Sequence, residues 1–254
     1  MKRIVWTLAM VLFTIMAFSC QVSEKSNTTK VPRSTVTRQD LKNFSAIDIA
    51  GFLYVHYTQG DNYGVKISAP RNIIDQIKAK TDNGKLMLSI EDKYQRLVNT
   101  EKQRVHIYIT SPKLKGVTMR GSGDFEAKGR VNANNLDLQL IGSGDLEMDN
   151  VICNSINGEV KGSGDMDVKV KDAQKAKWKL MGSGDMDIKQ KNIDNTTVEL
   201  FGSGDIDIDF SNCNNVSCKL MGSGDIDMSG HIKNLEKTTK GSGDIKFKAL
   251  SIGK

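Results

Sequence analysis

Lys177-Trp178-Lys179-Leu180-Met181-Gly182-Ser183-Gly184-Asp185-Met186-Asp187-Ile188-Lys189 is followed, twenty residues on, by Thr197-Val198-Glu199-Leu200-Phe201-Gly202-Ser203-Gly204-Asp205-Ile206-Asp207-Ile208-Asp209. The shared core, Gly-Ser-Gly-Asp, occurs seven times, with first glycines Gly121, Gly142, Gly162, Gly182, Gly202, Gly222 and Gly241, spaced by 21, 20, 20, 20, 20 and 19 residues. A fixed period of this kind marks a solenoid, in which each repeat buries its apolar face on its neighbours.

Side-chain alternation defines the unit. Two residues before each first glycine stand Met119, Leu140, Val160, Leu180, Leu200, Leu220 and Thr239; after each Asp come Phe125, Leu146, Met166, Met186, Ile206, Ile226 and Ile245. The residues between apolar positions are polar, as Lys179, Glu199, Asp187 and Asp207 show. A period of two places one strand before the motif and one after it. No 3.6-residue period survives, which excludes helical repeats. A propeller blade needs about 40 residues. The same register in all seven copies argues against an antiparallel hairpin array. The expected fold is all-β, a parallel β-helix with 20-residue rungs about 4.8 Å apart, giving a rod of roughly 35 Å.

Two readings of Gly-Ser-Gly-Asp compete. In the first it is a corner: the glycines permit positive φ, and Ser and Asp bond backbone N–H groups that the bend leaves unpaired, forming two polar ladders. In the second, Asp165 with Asp167, Asp185 with Asp187, Asp205 with Asp207 and Asp225 with Asp227 present stacked carboxylates to solvent, which a hard cation such as Ca²⁺ would bridge. The corner reading is preferred. The calcium β-roll repeat has nine residues rather than twenty, and its second glycine pair is missing here.

The chain has 254 residues, 38% hydrophobic and 26% charged, with 6% aromatic residues and a formal charge of +6. These values exclude a polytopic membrane protein and give no basic block for nucleic acid. Met1 to Cys20 reads as an export signal: Lys2 and Arg3 precede an uncharged, mostly apolar run from Ile4 to Phe18, short for a permanent anchor. Ala17-Phe18-Ser19-Cys20 resembles a bacterial lipobox, which implies a signal peptide over 1–19 and lipidation at Cys20. The polar stretch 20–40 reads as the lipidated Cys and a flexible tether. Residues 41–254 read as a single β-helix domain, with 41–120 as an irregular N-terminal cap of wider rungs and 121–254 as the repeats.

Within the cap, Ile73–Lys80 reads as a short helix, with Pro70 before it and Asp82-Asn83-Gly84 after it. Cys153 and Cys213 fall in an inward column with Ala133, Ala173, Ile193 and Ile232 and act as small apolar fillers. Cys213 and Cys218 are the only pair near enough in sequence to bond, and the spacing leaves that open. His56, His106 and His231 have no metal-ligand partner at ligand spacing, and no nucleophile elbow, P-loop or dinucleotide fingerprint is present.

Phe44 to Val55 followed by Gln59-Gly60-Asp61, then Gly84-Lys85-Leu86, Val105-His106-Ile107-Tyr108-Ile109, Pro112-Lys113-Leu114 and Met119-Arg120-Gly121-Ser122-Gly123-Asp124 resemble, in that order, the auto-transporter adhesin family with the head GIN domain. The resemblance spans about residues 41–250. It implies a right-handed parallel β-helix outside the cytoplasm of a Gram-negative bacterium and brings no catalytic residues. The functional expectation is a non-enzymatic protein, lipid-anchored at the outer membrane on its periplasmic face or at the cell surface, that binds a glycan or protein partner; an exposed apolar or aromatic patch near Tyr54, Tyr57 and Tyr63 would favour it. It needs no cofactor unless Ca²⁺ occupies the Asp columns. A Ca²⁺-stabilised spacer and a polysaccharide-acting enzyme are the alternatives. A cleft of Asp with a neighbouring Arg or His would favour the enzyme.

Overall fold

A computed structural model describes residues 32–98, 100 and 103–253. The expected signal peptide and Cys20 lie outside the described residues. The chain enters through β1 (Arg33–Arg38), β2 (Ala46–Ala50), β3 (Leu53–Gln59), β4 (Gly64–Pro70), a 3₁₀ turn (Ile74–Gln76), β5 (Ile77–Asp82), β6 (Lys85–Ile90), α1 (Asp92–Val98) and β7 (Val105–Ser111). The repeats follow as β8 (Gly116–Gly121), β9 (Asp124–Ala127), β10 (Val131–Gly142), β11 (Asp145–Gly162), β12 (Asp165–Lys171), β13 (Lys175–Gly182), β14 (Met186–Lys191), β15 (Asn195–Gly202), β16 (Ile206–Gly222), β17 (Ile226–Gly241) and β18 (Ile245–Ile252).

These strands stack as the parallel coils of a β-solenoid. Strand segments before each motif form one sheet, in the order β6-β2-β8-β10-β11-β13-β15-β16-β17. Segments after it form a second, in the order β7-β3-β9-β11-β12-β14-β16-β17-β18. Every pairing named here is parallel, which removes the hairpin-array alternative. Register is one-to-one between motifs: Gly182 pairs with Gly162 and Gly202, and Asp187 with Asp167 and Asp207. The alternating apolar residues point inward and make one continuous core, from Leu41 to Ile232.

The corner has a steric basis. Gly182 has φ +142°, and a Cβ there would lie 2.0 Å from the carbonyl oxygen of Gly162. A Cβ on Gly184 would lie 2.0 Å from the Gly164 oxygen. The first glycine is therefore required by both conformation and packing, the second by packing alone. The bend's donors are satisfied along the stack: Ser183 N–H donates to the Gly162 carbonyl at 2.9 Å, and Ser203 N–H to that of Gly182 at 2.9 Å. The serine hydroxyls form no ladder among the described residues. Ser163, Ser183, Ser203 and Ser223 are exposed, because it is their backbone, not their side chain, that closes the bend.

A second corner, not read from the sequence, repeats with the same period. Asp172, Asn192 and Asn212 adopt left-handed φ values of 62°, 55° and 56°. Asn192 Nδ2 donates to Asp172 Oδ1 at 2.8 Å, and Asn212 Nδ2 to Asn192 Oδ1 at 2.9 Å. Short Asx side chains tolerate this conformation and can bond to the next rung.

The N-terminal block departs from the linear reading. The β2–β3 rung lies between the β6–β7 and β8–β9 rungs, so chain order and spatial order differ. The antiparallel strands β5 on β6 and β4 on β7 cover the edges at this end, as a solenoid requires. The helix expected over Ile73–Lys80 is replaced by the 3₁₀ turn and β5. Asn83 (φ 47°) and Gly84 (φ 73°) form a two-residue hairpin loop, and Ile77 and Ala79 alternate inward. The helix that does form, α1, lies where no periodic pattern announced it. Residues 33–38, expected in the tether, are β1. This polar strand gains little burial and is held by its ladder to β4 and by Arg33, whose Nη2 donates to the Ser68 and Arg104 carbonyls at 2.8 and 2.9 Å.

Cys153, Cys213 and Cys218 are buried free thiols, so Cys213 and Cys218 are not bridged. Burial pushes the Cys153 thiol up to about 11 and Cys218 up to about 12, which keeps both protonated and unreactive. At the last rung the inward columns turn polar in the first sheet, where Lys237 and Thr239 pair with Cys218 and Leu220; Phe247 and Ile252 are exposed.

Candidate functional site

The sheet after the motif carries the acidic residues in two outward columns. One runs Asp124, Asp145, Asp165, Asp185, Asp205, Asp225, Asp244; the other runs Glu126, Glu147, Asp167, Asp187, Asp207, Asp227. All eight candidate cation ligands thus lie on one face, brought together by the exact stacking of rungs.

The first column is bonded along its length. Asp185 N–H donates to Asp165 Oδ1 at 2.9 Å, Asp205 N–H to Asp185 Oδ1 at 3.0 Å, Asp225 N–H to Asp205 Oδ1 at 2.8 Å and Asp244 N–H to Asp225 Oδ1 at 2.8 Å. Each carboxylate closes the corner of the next rung. In the second column Asp167 and Asp227 each keep one buried oxygen without a hydrogen-bond partner. No group of three or more His, Cys, Asp or Glu with metal-holding geometry occurs among the described residues.

Electrostatics differ along the sheet. At its C-terminal end Lys246 bonds Asp225, and Lys248 lies 2.6 Å from Asp227. The Lys246 bond holds the Asp225 carboxyl below its usual range. Towards the N-terminal end the carboxyls are pushed up: Asp124 by burial and then Asp145, Asp145 by burial and then Asp165, Glu147 by burial and then Asp149, and Asp167 by burial and then Asp187.

At this N-terminal end the acidic columns run into aromatic and imidazole side chains. Asp124 pairs with Tyr54 and then His106, and Glu126 with His56 and then Tyr108. His56 Nδ1 lies 3.1 Å from Glu126 Oε2, and His56 Nε2 lies 3.1 Å from His106 Nδ1. The Glu126 carboxylate accepts from His56 Nδ1–H, and the tautomers of the two rings set which of His56 and His106 donates to the other. Burial first, then His56, Arg33 and Arg104, lowers the His106 pKa and keeps that ring neutral. His56 stacks on Tyr108 at 5.0 Å and on His106 at 5.4 Å, and Arg104 lies 4.5 Å over the Tyr54 ring. Tyr108 is 46% exposed. A hollow of about 210 Å³ is lined by Tyr54, His56, Asp124, Glu126, Asp145 and Glu147.

Of the three tyrosines expected to be exposed, only Tyr54 lies on this shelf. Strand alternation turns Tyr57 inward, where it is fully buried with its hydroxyl 3.1 Å from Ser111 Oγ. Tyr63 packs on Phe44 at 5.1 Å. Sequence reasoning missed His56, His106 and Glu126 as a cluster, since they are 50 and 70 residues apart and nothing local signals their pairing. His231 is elsewhere, with Nδ1 2.8 Å from Ser251 Oγ.

The fold is shared with solved structures. A protein from Bacteroides fragilis, described as a putative adhesin, is 25% identical with a TM-score of 0.73, over 85% of this chain and 97% of its own. One from Parabacteroides distasonis, described as a putative lipid binding protein, is 18% identical with a TM-score of 0.61, over 87% and 96%. A putative adhesin from Parabacteroides merdae is 16% identical with a TM-score of 0.62, over 85% and 96%. No curated protein matches. The described residues contain no helix long and apolar enough to cross a membrane. Residues 43–212 and 167–254 both match the family described as "Putative auto-transporter adhesin, head GIN domain", so the chain belongs to that family.

Proposed function

We propose that this protein is an exported, lipid-anchored, non-enzymatic binding scaffold of the cell envelope whose ligand is a glycan held at the aromatic end of the acidic sheet. The observation that carries the ligand reading is the junction of Tyr54, His56 and Tyr108 with Asp124, Glu126 and Glu147 on one solvent-facing surface. Aromatic faces pack on the apolar face of a sugar ring, and carboxylates beside them accept its hydroxyls. The hollow does set Asp124 and Asp145 beside His56, with Arg104 over Tyr54, which is the arrangement expected of the enzyme alternative; the family description as an adhesin supports binding rather than catalysis. The lipobox-like Ala17-Phe18-Ser19-Cys20 supports the anchor.

Calorimetry of the chain from Gln21 against neutral and acidic oligosaccharides is expected to find a binder. Tyr108→Ala and Glu126→Gln are each expected to weaken it about tenfold, a loss of about 1.4 kcal/mol. A panel without a binder, or binding indifferent to both changes, sinks the glycan reading. For the anchor, the full chain is expected to fractionate with membranes and Cys20→Ser to release it. Retention of Cys20→Ser would refute lipidation there.

The Asp columns are best read as corner and surface elements, because the backbone N–H ladder already satisfies the first of them. Calcium is therefore expected to leave the melting temperature unchanged relative to chelator. A rise of several degrees would instead make Asp165, Asp167, Asp185, Asp187, Asp205, Asp207, Asp225 and Asp227 a cation site and favour the spacer reading.

A further inference from the structure

The sheet before the motif presents a surface of different chemistry. The residue preceding each first glycine points outward, and in three successive rungs it is Met181, Phe201 and Met221, paired directly across the strands. Met181 is 37% exposed, and Phe201 and Met221 are half-buried. This row lies outside the core, since the adjacent Leu180, Leu200 and Leu220 fill the interior. Lys179 and Lys219 straddle the middle of it, with their ammonium groups 5.5 and 5.4 Å from the Phe201 ring centroid. Lys161 and Lys240 stand further along the same outward column, and Lys177 lies beside Lys179 on the same face; Glu159 pairs with Lys161 and Lys179 at 2.8 and 3.5 Å and Glu199 with Lys177 at 3.0 Å, so five lysines stand against two glutamates around the row.

We propose that this lysine-framed Met-Phe-Met row is a docking face for an anionic lipid bilayer surface. The apolar row supplies side chains that enter the acyl boundary, and the lysines reach the headgroup phosphates while their stems lie along the sheet. Each lysine near an anionic surface contributes attraction that falls off within a Debye length. Charge complementarity also sets the orientation. The other large sheet carries the stacked Asp columns, which such a membrane repels, so docking turns the acidic sheet and its aromatic end away from the bilayer. The face acts independently of any acyl group at Cys20.

The test uses the chain from Gln21, which has no acyl site, and sedimentation with phosphatidylcholine vesicles with or without phosphatidylglycerol. The core lies within residues 41–232, so this chain retains the whole fold. Binding is expected only with phosphatidylglycerol, weakening with salt. Phe201→Ser with Met221→Ser is expected to reduce it about tenfold. Lys179→Gln with Lys219→Gln is expected to reduce it and flatten the salt dependence. Both pairs are outward-facing, and an unchanged melting temperature shows that the fold is intact; Phe201→Ala is the milder variant if the double change unfolds. No binding, equal binding to both vesicles, or full binding by the Phe201/Met221 variant overturns the proposal. So does a dimer in light scattering that the same variant dissolves, which would assign the row to a second copy.

Discussion

Gly182→Ala is expected to destabilise the protein by about 4 kcal/mol, near the upper end of single-residue effects. The added methyl meets two penalties together. At φ +142° an L-residue is strained, and its Cβ would sit 2.0 Å from the Gly162 oxygen, a backbone atom that cannot rotate away. Rungs 162, 182 and 202 would have to separate locally, breaking the Ser183 and Ser203 N–H bonds that run along the stack. Ser183→Ala, one residue away and exposed, is expected to change stability by less than about 0.5 kcal/mol. Urea unfolding of the two variants separates backbone packing from motif chemistry. Equal midpoints would refute the steric account of the corner.

Trp178→Ala is expected to cost about 3–5 kcal/mol, the range for truncating a large buried aromatic. Trp178 is fully buried, and its indole Nε1–H donates to Gln190 Oε1 at 2.9 Å; Gln190 Nε2 then donates to Thr196 Oγ1 at 3.1 Å. The substitution opens a cavity and leaves Gln190 short of a partner in the core. Its neighbour in the preceding rung is Gly158, where a Cβ would lie 2.6 Å from the Trp178 ring. Gly158→Ala is therefore destabilising alone and should cost much less when Trp178 is Leu, so the double variant is expected to be strongly non-additive. Additive losses in the denaturant midpoint would show that the two positions are not complementary.

The same column explains a feature that puzzles on sequence grounds alone. Leu138, Gly158, Trp178, Val198 and Cys218 share one inward position, and the absence of a side chain at Gly158 makes room for the Trp178 ring of the next rung. The repeat announces the position; packing against the next rung chooses the residue. His56, Glu126 and His106 show the converse. Each is an ordinary outward residue of a strand, and only the placement of the β3 rung between β7 and β9 joins them. The helix expected over Ile73–Lys80 fails for a related reason: an Asn-Gly pair following alternating apolar residues is a hairpin turn, and β5 finds its partner in β6.

The period of twenty, the alternation on either side of Gly-Ser-Gly-Asp, the inward columns and the gathering of acids on one face follow from the sequence alone. They do so because stacked identical rungs convert sequence period directly into spatial register. Tertiary structure alone decided the order of the first three rungs, the antiparallel cover over their edges, the free state of Cys213 and Cys218, and the meeting of the acidic columns with Tyr54, His56 and Tyr108. These depend on contacts between segments that carry no shared period, so no local pattern in the chain can encode them.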